Sequence, residues 1–202
     1  MYKIGIIVNP EAGKDIRRLT GFAEHVDSNR KTNILTQFIS AFLGPTKDVI
    51  FCIMPDINYT AERVISNLGK QLDSRIETLS INTTNSEQDT INSAKMLSVD
   101  FIFVLGGDGT NRLIFKTGKD LVLLPVFTGT NNVSPLKINA AIASIAAYIY
   151  LHNKKLIERR KVFEIKSGDQ LYYSLIDIAI IKSKIIGTGA IFYWYFLGRY
   201  IF

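Results

Sequence analysis

Residues Phe101 to Leu105, F-I-F-V-L, form an unbroken apolar run that stops at Gly106-Gly107-Asp108-Gly109-Thr110. The run is too short for an isolated helix, and its continuous hydrophobicity fits a strand buried on both faces of a parallel sheet. The glycines let the backbone turn sharply and come close to a ligand, because no Cβ stands in the way. One carboxylate, Asp108, is left at the carboxyl end of a central strand, where open α/β sheets bind their ligands. Amides freed by such a turn can hold phosphate oxygens. The pattern describes a nucleotide phosphate site with a built-in acid or base.

The rest of the chain alternates in the way such a strand requires. Lys3–Val8 is a strand followed by the loop Asn9-Pro10-Glu11-Ala12-Gly13-Lys14. Lys31–Leu43 carries Ile34, Leu35, Phe38, Ile39, Phe42 and Leu43 on one helical face, and Gly44-Pro45 stops it. Asp48–Ile53 and Ile76–Ile81 read as strands and Thr60–Leu72 as a helix between them. Ser86 caps a helix to about Leu97, with Asp89 at the capping-box position. Leu121–Phe127 is a further strand, and Ser134-Pro135 an N-cap and first-turn pair for a helix to about Tyr150. The order predicts a doubly wound parallel sheet with right-handed crossovers, a nucleotide-binding α/β domain over residues 1–155. From Arg160 the pattern changes to a hairpin, Val162–Lys166 and Leu171–Ile181, the beginning of a truncated β-rich domain over 160–202.

Composition narrows the functional classes. In 202 residues, 47% hydrophobic against 21% charged supplies a packed core. Cys52 lies in the apolar run Val49–Ile53 and reads as a reduced core residue of a cytoplasmic protein. Met1-Tyr2-Lys3 leads straight into a strand without a signal sequence, and no apolar stretch reaches the roughly 20 residues of a membrane span. A net charge of +6 suits an anionic ligand. The densest basic cluster, Lys154, Lys155, Arg159, Arg160 and Lys161, reads as a solvated helix end, with phosphate, membrane-surface or nucleic-acid contact as alternatives. No nucleic-acid-binding signature accompanies it. His25 and His152 stand alone, and Gly13-Lys14 lacks the remainder of a P-loop.

Three ordered motifs carry a resemblance. G-G-D-G-T at 106–110 with Asn111 following, strand-N-P-x-(small)-G at Asn9–Gly13, and Thr128-Gly129-Thr130-Asn131-Asn132-Val133 after a strand together resemble the NAD kinase superfamily, which includes the diacylglycerol kinases. The wording G-K-D-I-R-R-L at 13–19, M-P-D at 54–56 and T-G-T-N-N-V at 128–133 resembles its ATP-NAD kinase-like branch, typified by acetoin catabolism protein X, over nearly the whole chain to about residue 192.

The resemblance implies ATP (or polyphosphate) as phosphate donor, Mg²⁺, and phosphorylation of the ribose 2′-hydroxyl of NAD, with Asp108 as general base. Gly106, Gly107 and Gly109 would admit the phosphates. Asn9 would support them, and Thr110 would bind a phosphate or cap a short helix Asn111–Phe115. Gly129, Thr130, Asn131 and Asn132 would form the second wall, or Asn131-Asn132 serve only as loop chemistry. Asp177 sits in an otherwise apolar strand and needs a partner. The family carries an Asn before the matching acid, and here that position is Ile176. Phe192–Phe202, F-Y-W-Y-F-L-G-R-Y-I-F, departs from the family and reads as a truncated or frameshifted end, or else as an edge strand or partner contact. Two other functions stay open: a nucleotide-binding protein without turnover linked to acetoin catabolism, and a lipid kinase. The expected partners are small nucleotides rather than nucleic acid or membrane, with association into homo-oligomers open.

Overall fold

The computed structural model describes residues 1–14, 26–44, 46, 48–69, 74–128, 132–155, 157–176 and 178. In chain order these form β1 (Tyr2–Val8), α1 (Ser28–Ser40), β2 (Val49–Ile53), α2 (Thr60–Leu68), β3 (Ile76–Thr78), α3 (Glu87–Met96), β4 (Phe101–Gly106), α4 (Asp108–Phe115), β5 (Leu123–Phe127) and α5 (Ala140–His152). A hairpin of β6 (Phe163–Ser167) and β7 (Gln170–Ser174) follows.

β1 to β5 make one parallel sheet in the order β3-β2-β1-β4-β5. Burial explains the order. All six residues of β4 and the last five of β1 are buried, whereas the edge strands β3 and β5 each bury one residue. Alternate strand residues feed two cores. Ile4, Ile6, Val8, Phe51, Phe101, Phe103 and Leu105 pack beneath α1, α2 and α5. Ile7, Cys52, Ile102 and Val104 pack on the opposite face with Ala94 of α3 and Ile114 of α4. The chain is a doubly wound α/β protein.

Aromatic packing centres the first core. Phe38 of α1 stacks on Phe103 with ring centroids 3.9 Å apart, and Phe42 meets Phe51 edge-on at 5.9 Å. On α1 the buried positions 31, 35, 38 and 39 form the inward stripe of a 3.6-residue repeat. Cys52 is buried and free, and burial first, then the neighbouring Glu77 carboxylate, pushes its thiol up to about 11.

Several boundaries differ from the sequence reading. α1 begins at Ser28, capped by Asp27, whose carboxylate accepts from the Arg30 amide at 2.7 Å. α2 ends at Leu68, because Gly69 takes φ +82°. β3 stops at Thr78, opposite the end of β2 at Ile53, and the Leu79 amide makes the last bond between them, to the Ile53 carbonyl at 2.9 Å. Ser134-Pro135 does not start a helix. Leu136 instead bridges Val126 in parallel, with its amide on the Pro125 carbonyl at 2.7 Å, and this extends the sheet and delays α5 to Ala140. Asn139 is the cap, accepting from the Ile142 amide at 2.9 Å. The β6–β7 hairpin turns at Gly168-Asp169 and touches α4 through Tyr173 on Phe115, 5.2 Å between centroids. The expected strand Leu171–Ile181 ends at Ser174, with a bend at Leu175-Ile176, and residues 179–181, Asp177 and the aromatic tail 192–202 lie outside the described residues, as do Gly129, Thr130 and Asn131.

Candidate functional site

The strand order places a topological switch between β1 and β4. From β1 the chain moves outward to β2 and β3, then returns to β4 and β5 on the other side. The connection after β1 leads to α1 on one face of the sheet, while β4 leads directly to α4 on the other. Segments that diverge to opposite faces leave a crevice beyond the carboxyl ends of the strands, and there such sheets take their ligands.

A cleft of ≈ 280 Å³ opens at this edge. Asn9, Pro10 and Glu11 line it from the end of β1, Met54 to Ile57 from the end of β2, Asn85, Ser86, Glu87, Asp89 and Thr90 from the start of α3, and Gly109, Thr110 and Leu113 from α4. The first-loop motif and the glycine-rich motif meet here. The Asn9 side-chain amide donates to the Thr110 hydroxyl at 2.9 Å across 101 residues, and its oxygen accepts from the Glu11 amide at 2.9 Å. Thr110 is therefore inside α4 and not its cap. The cap is Gly107, extended and without a side-chain cap bond, and the helix starts at Asp108. The amides of Gly109 and Thr110 belong to the first turn and have no intrahelical acceptor. They combine with the positive end of the helix dipole at the mouth of the cleft.

Asp108 points elsewhere. Its two carboxylate oxygens accept from the Val133 and Ser134 amides, each at 2.9 Å, while its own amide donates to the Asn132 side chain at 3.2 Å. A Cβ at Gly107 would stand 2.6 Å from that Asn132 oxygen, so glycine is what lets Asn132 reach the turn. Gly106 ends β4, and Asn111 is buried with neither side-chain polar atom partnered among the described residues. The residues singled out from sequence thus divide in two. Asn9, Gly109 and Thr110 border the cleft; Gly107, Asp108 and Asn132 tie α4 to the segment after β5.

The cleft has an acidic rim of Glu11, Asp56, Glu87 and Asp89. Asp56 accepts from the Asn58 and Thr60 amides at 2.8 and 3.3 Å and so starts α2. Burial works to raise the Asp89 carboxyl, but donation from the Thr84 amide and hydroxyl and from the Asn85 amide prevails and holds it below the usual carboxylate range. Among the described residues, the non-glycine positions with positive φ are Tyr59 at 53° and Asn85 at 57°, both at this end of the sheet. Asparagine tolerates that region, whereas tyrosine is strained in it. No cluster of three or more His, Cys, Asp or Glu among the described residues converges on a metal position. The oxygen donors that line this edge for a hard cation are the rim carboxylates.

Two features of the first loop were not visible in sequence. Gly13 has φ +82°, and a Cβ there would lie 2.5 Å from the Thr128 carbonyl oxygen, so the loop after β1 packs directly on the end of β5. Gly13→Ala is expected to destabilise the protein by about 2 kcal/mol, from left-handed strain plus a backbone clash, measured as a lowered urea midpoint. The second is Lys31, 1% exposed, whose ammonium donates to the carbonyls of Asn9 at 2.8 Å and Pro10 at 3.0 Å. Its place on the inward stripe with Leu35, Phe38 and Ile39 was the available signal.

Fold and crevice together define an α/β protein of Rossmann-like build with a cleft at its switch point. The chain is similar to acetoin catabolism protein X of Cupriavidus necator, 25% identical over 205 residues, a match covering 93% of this chain and 57% of that protein. An uncharacterized protein of Archaeoglobus fulgidus is 30% identical over 135 residues, 66% of this chain and 36% of that one. The chain thus spans little more than half of the first relative and about a third of the second. No protein-family model matches it. Among solved structures, a Listeria monocytogenes protein assigned as a UDP-N-acetylglucosamine 2-epimerase aligns with a TM-score of 0.45 at 13% identity, over 76% of this chain and 38% of that one. No helix among the described residues is long and apolar enough to cross a membrane.

Proposed function

We propose that the chain binds a nucleoside polyphosphate at the switch-point cleft and belongs to an ATP-dependent phosphotransferase of the NAD kinase-like type, with NAD as acceptor. The observation that carries this reading is the Asn9–Thr110 bond, which joins the first loop to the opening turn of α4. The amides of Gly109 and Thr110 meet the phosphates, and Met54, Pro55, Ile57 and Leu113 give apolar surface to the nucleoside. Glu11 or Asp56 of the rim would hold Mg²⁺, whose charge would offset the repulsion between these carboxylates and the phosphates. The acceptor hydroxyl is placed on the β5 side of α4, where Asp108 takes its proton.

A second reading, nucleotide binding without turnover, is favoured by one specific feature: both oxygens of Asp108 are already engaged by backbone amides, and the carboxylate is not among the groups lining the cleft. ADP release from ATP and Mg²⁺, with and without NAD, separates the two when run beside equilibrium binding of each nucleotide. The phosphotransferase reading expects NAD-dependent ADP release. Binding of ATP with no turnover would leave the binding module, and no binding of either nucleotide would sink both.

A further inference from the structure

A lysine on the buried stripe of α1 is an anomaly, because an apolar residue would fill that position without desolvating a charge. Lys31 lies four, seven and eight residues before Leu35, Phe38 and Ile39, all of them fully buried. Its stem runs with that stripe, and its ammonium ends beneath the loop after β1. There it donates to two successive carbonyls, those of Asn9 and Pro10. Both residues line the cleft, and the side chain of Asn9 continues the connection to Thr110 at the opening turn of α4. A buried cation is thus linked, through the backbone and side chain of Asn9, to the glycine-rich turn at Thr110.

We infer that Lys31 is a protonation-dependent clamp on the first loop, a positioning residue that holds the Asn9–Pro10 wall of the cleft in its ligand-accepting shape. The inference rests on the nucleotide-binding reading for its ligand, and on geometry alone for the clamp. Two carbonyl dipoles aimed at one point repel each other unless a cation lies between them, so the loop shape depends on the charge at Nζ. Burial first, then the nearby Lys14, lowers the Lys31 pKa to about 8, against Glu11 from the same loop, Asp56 from the loop after β2, and Asp27 at the cap of α1. The clamp is strongest below that value and weakens as the pH rises through it, because the amine then keeps N–H donors but loses its charge.

Two measurements on the same protein test this. The first is the carbonyl ¹³C shifts of Asn9 and Pro10 followed from pH 6 to 10. They are expected to show a common inflection near pH 8, absent in Lys31→Met and in Lys31→Arg, whose guanidinium stays charged over the range. The second is the affinity for ATP with Mg²⁺. Wild type is expected to weaken across the same inflection. Lys31→Met is expected to be about tenfold weaker at pH 7 with a flat profile, and Lys31→Arg to bind at pH 9, where wild type has weakened, as tightly as at pH 7. Carbonyl shifts that do not titrate near pH 8, or titrate equally in Lys31→Met, overturn the clamp. A carbonyl inflection with ATP affinity unmoved by Lys31→Met overturns the positioning role. Should wild type bind no ATP, the phosphotransferase reading fails, and the carbonyl titration still decides whether Lys31 shapes the loop.

Discussion

Asp108→Asn is expected to lower NAD-dependent ADP release by at least about 100-fold, the usual contribution of a general base. A carboxamide cannot accept the proton of the acceptor hydroxyl. The same substitution has a structural cost, because Asp108 braces the segment after β5 through the Val133 and Ser134 amides. A carboxamide has one oxygen for those two donors, so one amide faces an NH₂ group, costing about 1–2 kcal/mol. Asp108→Ala leaves both donors without an acceptor and is expected to cost more, with an equal loss of turnover. The two roles separate when activity and urea midpoint are measured together for both variants. An asparagine variant that is destabilised yet still turns over would make Asp108 a brace and remove it from the chemistry.

Phe103→Ala is expected to cost about 4 kcal/mol, a large part of the 5–15 kcal/mol that separates a folded domain from its unfolded chain. Phe103 is wholly buried in the central strand and stacks on Phe38 of α1, itself wholly buried. Removing the ring forfeits its transfer free energy and leaves a void between sheet and helix that the parallel strands on either side cannot close. Phe115 is the control, an aromatic 40% exposed on α4, and Phe115→Ala is expected to cost about 1 kcal/mol. Urea midpoints of the two variants check the contrast. A loss at Phe103 no larger than at Phe115 would mean the core relaxes far more than its packing implies.

What was legible in sequence follows from where each signal originates. Phe101–Leu105 could be assigned because burial on both faces leaves no polar residue in the run, and the turn after it because glycine and aspartate act locally. Ser134-Pro135 misled for the same reason. As a local pair it is a good helix start, but a bridge from Leu136 to Val126 outweighs it, and no local pattern announces that bridge. Asp108 could be picked out as a carboxylate at a strand end, yet its partners Val133 and Ser134 lie 25 and 26 residues on, beyond any periodicity. Lys31 was hidden by its residue type. A lysine in the first turn of a helix looks solvated, and only the stripe it shares with Leu35 and Phe38 betrays its burial.

The pairing of β1 with β4 also bears on how the molecule comes into being. β1 can meet β2 early in synthesis, whereas Ile4 must wait for Phe101, about a hundred residues downstream. Until then one side of the most apolar seam in the sheet is a bare edge, with unpaired N–H and C=O groups open to wrong partners. The same seam carries Asn9 at its end, and Thr110 arrives only just behind β4. Closing the sheet and assembling the cleft are therefore one late event, and a chain halted before it has neither a complete core nor a place for its ligand.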